Sequence, residues 1–282
     1  MIIDFHTHTF PDKIAAKTLA KLSGLSHTVP FTDGTARGLS AAARAAGVDL
    51  SVILPVATSP GQVAHINESA ARGNEKTEET GLFSFGCVHP GCPEWKEELG
   101  RIAALGLKGV KIHPVYQGVE LDDPRYLRIL ERAGELDLIV VTHTGADIGF
   151  PGAEQCAPEA ALRAVRQVGP VKLVLAHMGG WKQWERAEEL LADTAVWLDT
   201  SFSTGALVPL DDGYYAPEDL PLLDEEHFLR MVRAFGADRL LFGTDSPWSA
   251  QRESLDWIRA LPLKETEKDA ILGGNARRLL GL

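Results

Sequence analysis

The sequence predicts an α/β fold, a (β/α)8 barrel, on three observations. Eight short runs rich in Leu, Ile and Val are spread along the 282 residues. Between them lie stretches with apolar residues three and four apart, the spacing of a helix with one buried face, and this alternation marks repeated βα units around a parallel sheet. The length is also close to the roughly 250 residues that one such barrel requires.

The candidate strands, in order, are IIDFH (2–6), LSVILPV (50–56), LFSFGCVH (82–89), LKGVKIH (107–113), LIVVTH (138–143), VKLVLAH (171–177), AVWLDT (195–200) and RLLFGTD (239–245). In the first of them Asp4, His6 and His8 occupy every second position. Strand periodicity puts these three on one face, with Ile3 and Phe5 on the other. Helical patterns such as GLSAAARAAG, RYLRILERAGEL, PEAALRAVRQV and LLDEEHFLRMVRAFG would form an outer ring. Turns such as LGLKG read as glycine caps that end a helix and enter the next strand. After Thr200 about 25 residues pass before the next helical pattern, a length more typical of a lid than of a plain connection. Two more helical patterns, SAQRESLDWIRAL and EKDAILGGNARRLLGL, follow the eighth strand as extra C-terminal helix. No linker interrupts the series, so residues 1–282 are expected to form a single domain.

Composition excludes several classes. Hydrophobic residues at 45% and charged residues at 24% are ordinary for a globular protein. The formal charge of −11 disfavours nucleic-acid binding, which depends on Lys and Arg neutralising phosphates. The longest apolar runs fall far short of the roughly 20 residues that cross a bilayer, and no basic-then-apolar leader opens the chain. A cytoplasmic protein without a membrane partner is the expectation. Cys87, Cys92 and Cys156 form no CxxC pair, which argues against a disulfide framework or a thiolate metal site.

In a parallel barrel the C-terminal strand ends carry the chemistry. Those ends hold His6 and His8, His89, Lys111 and His113, His143, His177 and Asp245. One histidine at a strand end is ordinarily a hydrogen-bonded residue and nothing more. Six of the nine histidines on one rim point instead to a metal centre, since imidazole suits zinc and similar divalent ions. His6 and His8 can converge on one ion, and Asp245, on the strand that closes against the first, can reach the same point.

The segments DFHTH, VTH, LAHMGG and FGTDSPW, in this order and on these strands, resemble the amidohydrolase superfamily of metal-dependent TIM barrels. The nearer likeness is to its amidohydrolase-related branch, which includes aminocarboxymuconate-semialdehyde decarboxylase. GVKIHP and the terminal ILGGNARRLLGL are similar to the same branch, so the resemblance spans essentially the whole chain. It implies one divalent ion, zinc by preference, held by His6, His8, His143 and Asp245. His177 would stand beside the metal-bound water as general acid and base, and Asp245 could accept the water's proton. In two-metal members a carboxylated lysine bridges the ions, and Lys111 stands where that residue would. His113 belongs to such a second site or to the pocket, while Trp181, Trp248 and Tyr214 are candidates for the pocket wall.

The resemblance implies a small-molecule substrate and, in assembly, a homodimer. Hydrolysis of an amide, lactone or ester is the leading reaction, and non-oxidative decarboxylation is the alternative with the same ligands. A decarboxylase would hold its substrate carboxylate with an arginine near the mouth; none follows a strand end immediately, and Arg37 on the first connection is the leading candidate. A nuclease is disfavoured by the acidic balance and by Lys111. A non-catalytic metal-binding scaffold would have no use for His177.

Overall fold

A computed structural model describes all 282 residues. Nine strands run in parallel: β1 (Ile3–Thr7), β2 (Leu50–Ile53), β3 (Leu82–Ser84), β4 (Gly86–Cys87), β5 (Gly109–Ile112), β6 (Ile139–Thr142), β7 (Lys172–Leu175), β8 (Trp197–Asp199) and β9 (Leu240–Leu241). They pair in the order of the chain, as a three-stranded sheet β1-β2-β3 and a six-stranded sheet β4 to β9. Strands β3 and β4 are two halves of the third predicted strand, parted by Phe85. Its N–H still donates to Ile53 O at 2.9 Å, while its ring meets Phe5 edge-on at 5.7 Å. Nine segments therefore fill eight barrel positions.

The ladder does not close continuously, which corrects the expectation of an unbroken barrel. Strand β9 is two residues long, and Asp245 soon takes φ +65°, a left-handed conformation that cannot continue a strand. Individual bonds cross the seam instead: Phe5 N to Phe242 O at 2.7 Å, Asp245 N to His6 O at 2.8 Å, and His8 N to Ser246 O at 2.7 Å.

Two apolar layers hold the structure. Ile3, Phe5, Val52, Phe85, Ile139, Val141, Val174 and Leu241, drawn from strands all round the sheet, cluster together as the barrel interior. The alternate residues of β5 to β8, among them Val110, Ile112, Val140, Leu173 and Leu198, pack outward against the helices. Each such fully buried side chain contributes on the order of 1.5–3 kcal/mol of transfer free energy.

The first strand departs from the simple alternation read in its sequence. Ile3 and Phe5 point inward, and Asp4 points outward, where it accepts from Gln251 Nε2 and Thr244 Oγ1, both at 2.7 Å. The pairing register explains the inversion. Asp4 opposes Ser51 and Thr7 opposes Ile53, so β1 carries one extra residue between them. Such a bulge re-aims the side chains that follow it. His6 consequently turns into the barrel, onto the face opposite that of Asp4. Burial pushes the Asp4 carboxyl up to about 7, against the opposing effect of its bonds from Thr244, Gln251 and the His6 N–H.

The C-terminal segment also differs from prediction. Helix Gln251–Ala260 forms as expected, but the second is split into Glu265–Asp269, a π-turn Ala270–Gly274 and Asn275–Leu280. The turn lets Gly273 press on the Met1 carbonyl, where a Cβ would sit 2.1 Å from the oxygen. No helix is long and apolar enough to cross a membrane.

Close approach also governs Gly145, just after β6. It has φ +86°, and an added Cβ would lie 2.3 Å from Trp181 N. Gly152 has φ +83° with nothing within 4 Å. Gly145→Ala should therefore cost at least about 3 kcal/mol, from strain plus displacement of the Trp181 backbone, and Gly152→Ala only the roughly 1–2 kcal/mol of the left-handed conformation. Denaturant midpoints of the two variants measure the difference; equal losses would refute the close contact.

Candidate metal centre

The bulge in β1 brings His6 to the mouth, His8 follows two residues later, and Asp245 arrives across the seam. His6 Nε2 and His8 Nε2 are 3.2 Å apart, and Asp245 Oδ1 lies 3.2 Å from the first and 3.0 Å from the second. Two ligands at 2.0–2.2 Å from one ion, at angles of 90–109°, stand roughly 3.0–3.4 Å apart. The three atoms have the spacing of a coordination polyhedron.

Their protonation supports the same fit. His8 Nδ1 donates to Leu54 O at 2.8 Å, and His6 Nδ1 donates to Asp199 Oδ2 at 2.8 Å. In the neutral imidazoles both Nε2 atoms are then bare. Two lone pairs and a carboxylate oxygen converge, and Lys111 Nζ, 3.3 Å from His6 Nε2, is the nearby donor. A buried meeting of three acceptors is stabilised by a cation, so the residues present fit a divalent ion. Burial is the main cause holding His6 well below its ordinary value, with the Lys111 charge acting in the same direction. For Asp245, burial opposes ionisation, but its neighbours His8, His6 and Lys111 hold its carboxyl below the usual value.

Behind these atoms lies a polar layer that the strand-end reading missed. Asp199, at the end of β8, accepts from His6 Nδ1 through one oxygen. Through the other it accepts from Ser201 Oγ and from the backbone N–H of His177. The Ser201 hydroxyl donates its hydrogen to Asp199, so both Ser201 oxygens facing His177 Nδ1, at 2.9 and 3.1 Å, are acceptors. His177 thus carries its proton on Nδ1 and turns a bare Nε2 toward His143 Nδ1, 2.9 Å away. Burial foremost, then the neighbouring His6, holds His177 well below its ordinary value. His177 and Asp245 both adopt left-handed backbone, φ +60° and +65°, the kind of local strain that collects at functional sites.

His143, read from sequence as the third imidazole ligand, stands next to the three-atom group without joining it. Its Nδ1 faces His177, and its ring stacks on His113 at 4.4 Å. Lys111 is fully buried, and that burial lowers its amine to about 8, partly offset by Asp199 and Asp245. It remains largely a cation at neutral pH.

The expected pocket wall is only partly realised. Tyr214 is 55% exposed and stacks on His27 at 3.7 Å, in a stretch tied down where Val29 N donates to Val208 O and Leu210 N to His27 O. Trp181 is buried in the main core with its indole N–H on Pro221 O, and Trp248 packs partly buried against the same core, so both brace the rim. Arg37 is exposed on helix Ala36–Ala46 near Asp33, not in the site. His89 is half-buried and accepts from Gly91 N at 3.0 Å, and no ligand group joins it to Cys87 and Cys92.

Comparison with known proteins agrees with this architecture. No curated relative matches the sequence. Among solved structures, an uncharacterized TIM-barrel protein from Bordetella bronchiseptica superposes with a TM-score of 0.75 at 18% identity, over 99% of this chain and 98% of that one. A dihydroxybenzoic acid decarboxylase from Polaromonas sp. JS666, with bound manganese and the inhibitor 2-nitroresorcinol, gives 0.70 at 17% identity over 100% and 97%. A probable 2-pyrone-4,6-dicarboxylic acid hydrolase from Acinetobacter baumannii, with citric acid bound, gives 0.65 at 16% over 100% and 99%. At such identities the likeness establishes the barrel fold. The family model described as amidohydrolase matches residues 3–282, and the chain belongs to that family of enzymes.

Proposed function

We propose that the protein is a metal-dependent carboxy-lyase that releases CO2 from a small carboxylic acid. The ion, zinc or manganese, would be held by His6, His8, His143 and Asp245, a donor set that suits either metal. The observation that carries the choice of decarboxylation over hydrolysis is Lys111. A buried ammonium 3.3 Å from a metal-ligand nitrogen supplies the cation that an anionic substrate needs, and that Arg37 does not supply. The likeness to a manganese-containing decarboxylase supports the same reading. Hydrolysis, the leading expectation from sequence, would call on Lys111 as a carboxylated metal bridge rather than as a free ammonium.

The reaction is RCOO⁻ + H⁺ → RH + CO2: the bond between carbon and the carboxylate breaks, and its electron pair takes a proton. When bound, the ion supplies positive charge against the carboxylate and the charge that develops on the substrate. Lys111 neutralises and orients the same anion. His177, at Nε2, holds the proton that goes to carbon. Ser201 and Asp199, on its other side, stabilise the protonated ring, and an arriving anion offsets the burial that otherwise keeps it neutral.

The test is to load the purified protein with zinc or manganese and assay a panel of aromatic and unsaturated carboxylic acids, amides and lactones. CO2 release and hydrolytic proton release are followed separately. CO2 from at least one acid, absent without metal, is the expected result. Hydrolysis of a lactone or amide without CO2 release would overturn the reading in favour of the hydrolase.

A further inference from the structure

The metal centre is almost sealed. His6, Lys111 and His177 are at most 3% exposed, and the side chains of His8 and Asp245 show only 18% and 11% of their surface. A small molecule that is to touch these groups needs part of the rim to move. Two connections build the rim at this point. One, between helices Asp12–Ser26 and Ala36–Ala46, crosses the seam. Phe10 N, two residues past His8, donates to Gly34 O, and Phe31 N donates to the carbonyl of Pro247, two residues past Asp245, both at 2.7 Å. The other connection leaves β8 through Ser201, 2.9 Å from His177 Nδ1, and Phe202, whose ring meets His177 edge-on at 6.0 Å.

This second connection is fastened at its ends and lightly held between them. Thr204 and Leu220 are buried, Leu223 N donates to Ser203 O at 2.9 Å, and the Trp181 indole donates to Pro221 O at 3.1 Å, which closes the base. From Gly205 to Asp219, by contrast, no residue is buried, and Leu207 and Tyr215 only lean against the core. A segment with so little buried apolar contact opens at a small fraction of the free energy of global unfolding. What holds it down is local. Val29 N donates to Val208 O and Leu210 N to His27 O, a short antiparallel pair centred on Thr28 and Pro209. Beyond it His27 Nδ1 donates to Asp212 Oδ2 at 2.7 Å, and its ring lies 3.7 Å from that of Tyr214, within 4° of parallel. At the far side Lys182 Nζ donates to Asp219 O at 2.9 Å. His27, Asp212 and Tyr214 all reach solvent, so water replaces these contacts at little cost.

We propose that Gly205–Asp219 is a lid over the metal centre, latched by His27 onto Asp212 and Tyr214, and that its lifting admits the ion and the substrate. The inference rests on the metal centre and not on which reaction follows there. Two measurements on zinc-loaded protein test it. One is the rate at which excess EDTA takes the zinc; the other is amide hydrogen exchange, which needs no metal and so separates a failure to load zinc from a failure of the lid. The Val29 and Leu210 amides should exchange together, about 100-fold or more faster than those of β6. His27→Ala removes the latch and should raise zinc release and these two exchange rates about fivefold or more, with β6 exchange unchanged. A disulfide should do the opposite. Thr28 and Pro209 form a non-hydrogen-bonded antiparallel pair, in which Cα atoms stand about 4.5 Å apart, within the span a disulfide bridges. Oxidation of the Thr28→Cys/Pro209→Cys variant should slow zinc release about tenfold or more, and a phosphine reductant should restore the wild-type rate. Should this variant fail to fold, His27→Ala and the exchange of the wild type decide the matter. Zinc leaving the oxidised form at the wild-type rate, release and exchange that His27→Ala leaves unchanged, or Val29 and Leu210 amides as protected as those of β6 each overturn the lid.

Discussion

Asp245→Asn should strip the protein of its ion. Asp245 Oδ1 is the one charged atom within 3.2 Å of both His6 Nε2 and His8 Nε2, and an amide oxygen in its place is neutral and a poorer donor. Losing an outer partner of a metal ligand already costs about 10–100-fold in affinity, so losing the ligand itself should cost at least about 100-fold. Metal content after dialysis is expected to fall from about one equivalent to under a tenth, and turnover by about a thousandfold or more. His6→Ala should behave the same way, because it removes a nitrogen and also takes from Asp199 Oδ2 the imidazole N–H it accepts. Thermal unfolding gives an independent reading. A divalent ion at about 100 times its Kd stabilises the wild type by about 2.7 kcal/mol, and that increment should vanish in both variants. A variant that keeps a full equivalent of metal would remove its residue from the ligand set.

His177→Gln should separate metal binding from turnover. His177 Nε2 touches His143 Nδ1 and lies outside the His6, His8 and Asp245 group, so the ion should stay. Its proton is lost, and general acid catalysis of this kind typically contributes about 10²–10⁴-fold. The expected pattern is unchanged metal content, kcat lowered by that factor and KM altered far less. A variant that loses its metal would make His177 a ligand. One that retains normal kcat would place the acid elsewhere, and either result would sink the assignment made here.

How much of this was legible in sequence follows from what each residue does locally. His6, His8 and Asp245 stand out because polar side chains interrupt runs that are otherwise apolar, and the strand period brings the two histidines together. The face of Asp4 was not legible, because a one-residue bulge depends on the partner strand and leaves no mark in IIDFHTHTF itself. Asp199 sits at the end of AVWLDT, where its carboxylate interrupts an apolar run as the strand-end histidines do, so its signal is present in the sequence. The His27 latch had no such signal: its partners Asp212 and Tyr214 lie far along the chain, and its meaning depends on their being folded opposite it. The break at Phe85 was equally hidden, since that ring satisfies the apolar pattern while taking its residue out of both ladders. The fold class needed only periodicity, whereas the site needed contacts between residues more than a hundred positions apart.

The unladdered seam between β9 and β1 bears on the order in which the protein assembles. Three of the atoms best placed for metal come from residues 6, 8 and 245, so the site straddles that seam and joins the two ends of the chain. Contacts of such long sequence separation are the slowest to form in folding, because the entropy of closing the intervening loop must be met first. Strands β4 to β8 can pair with their neighbours as the chain lengthens, but no part of the chain short of Asp245 can build this donor set. Metal uptake would then report the final closure of the barrel, and the ion would act as a clasp where the sheet has no continuous ladder of its own.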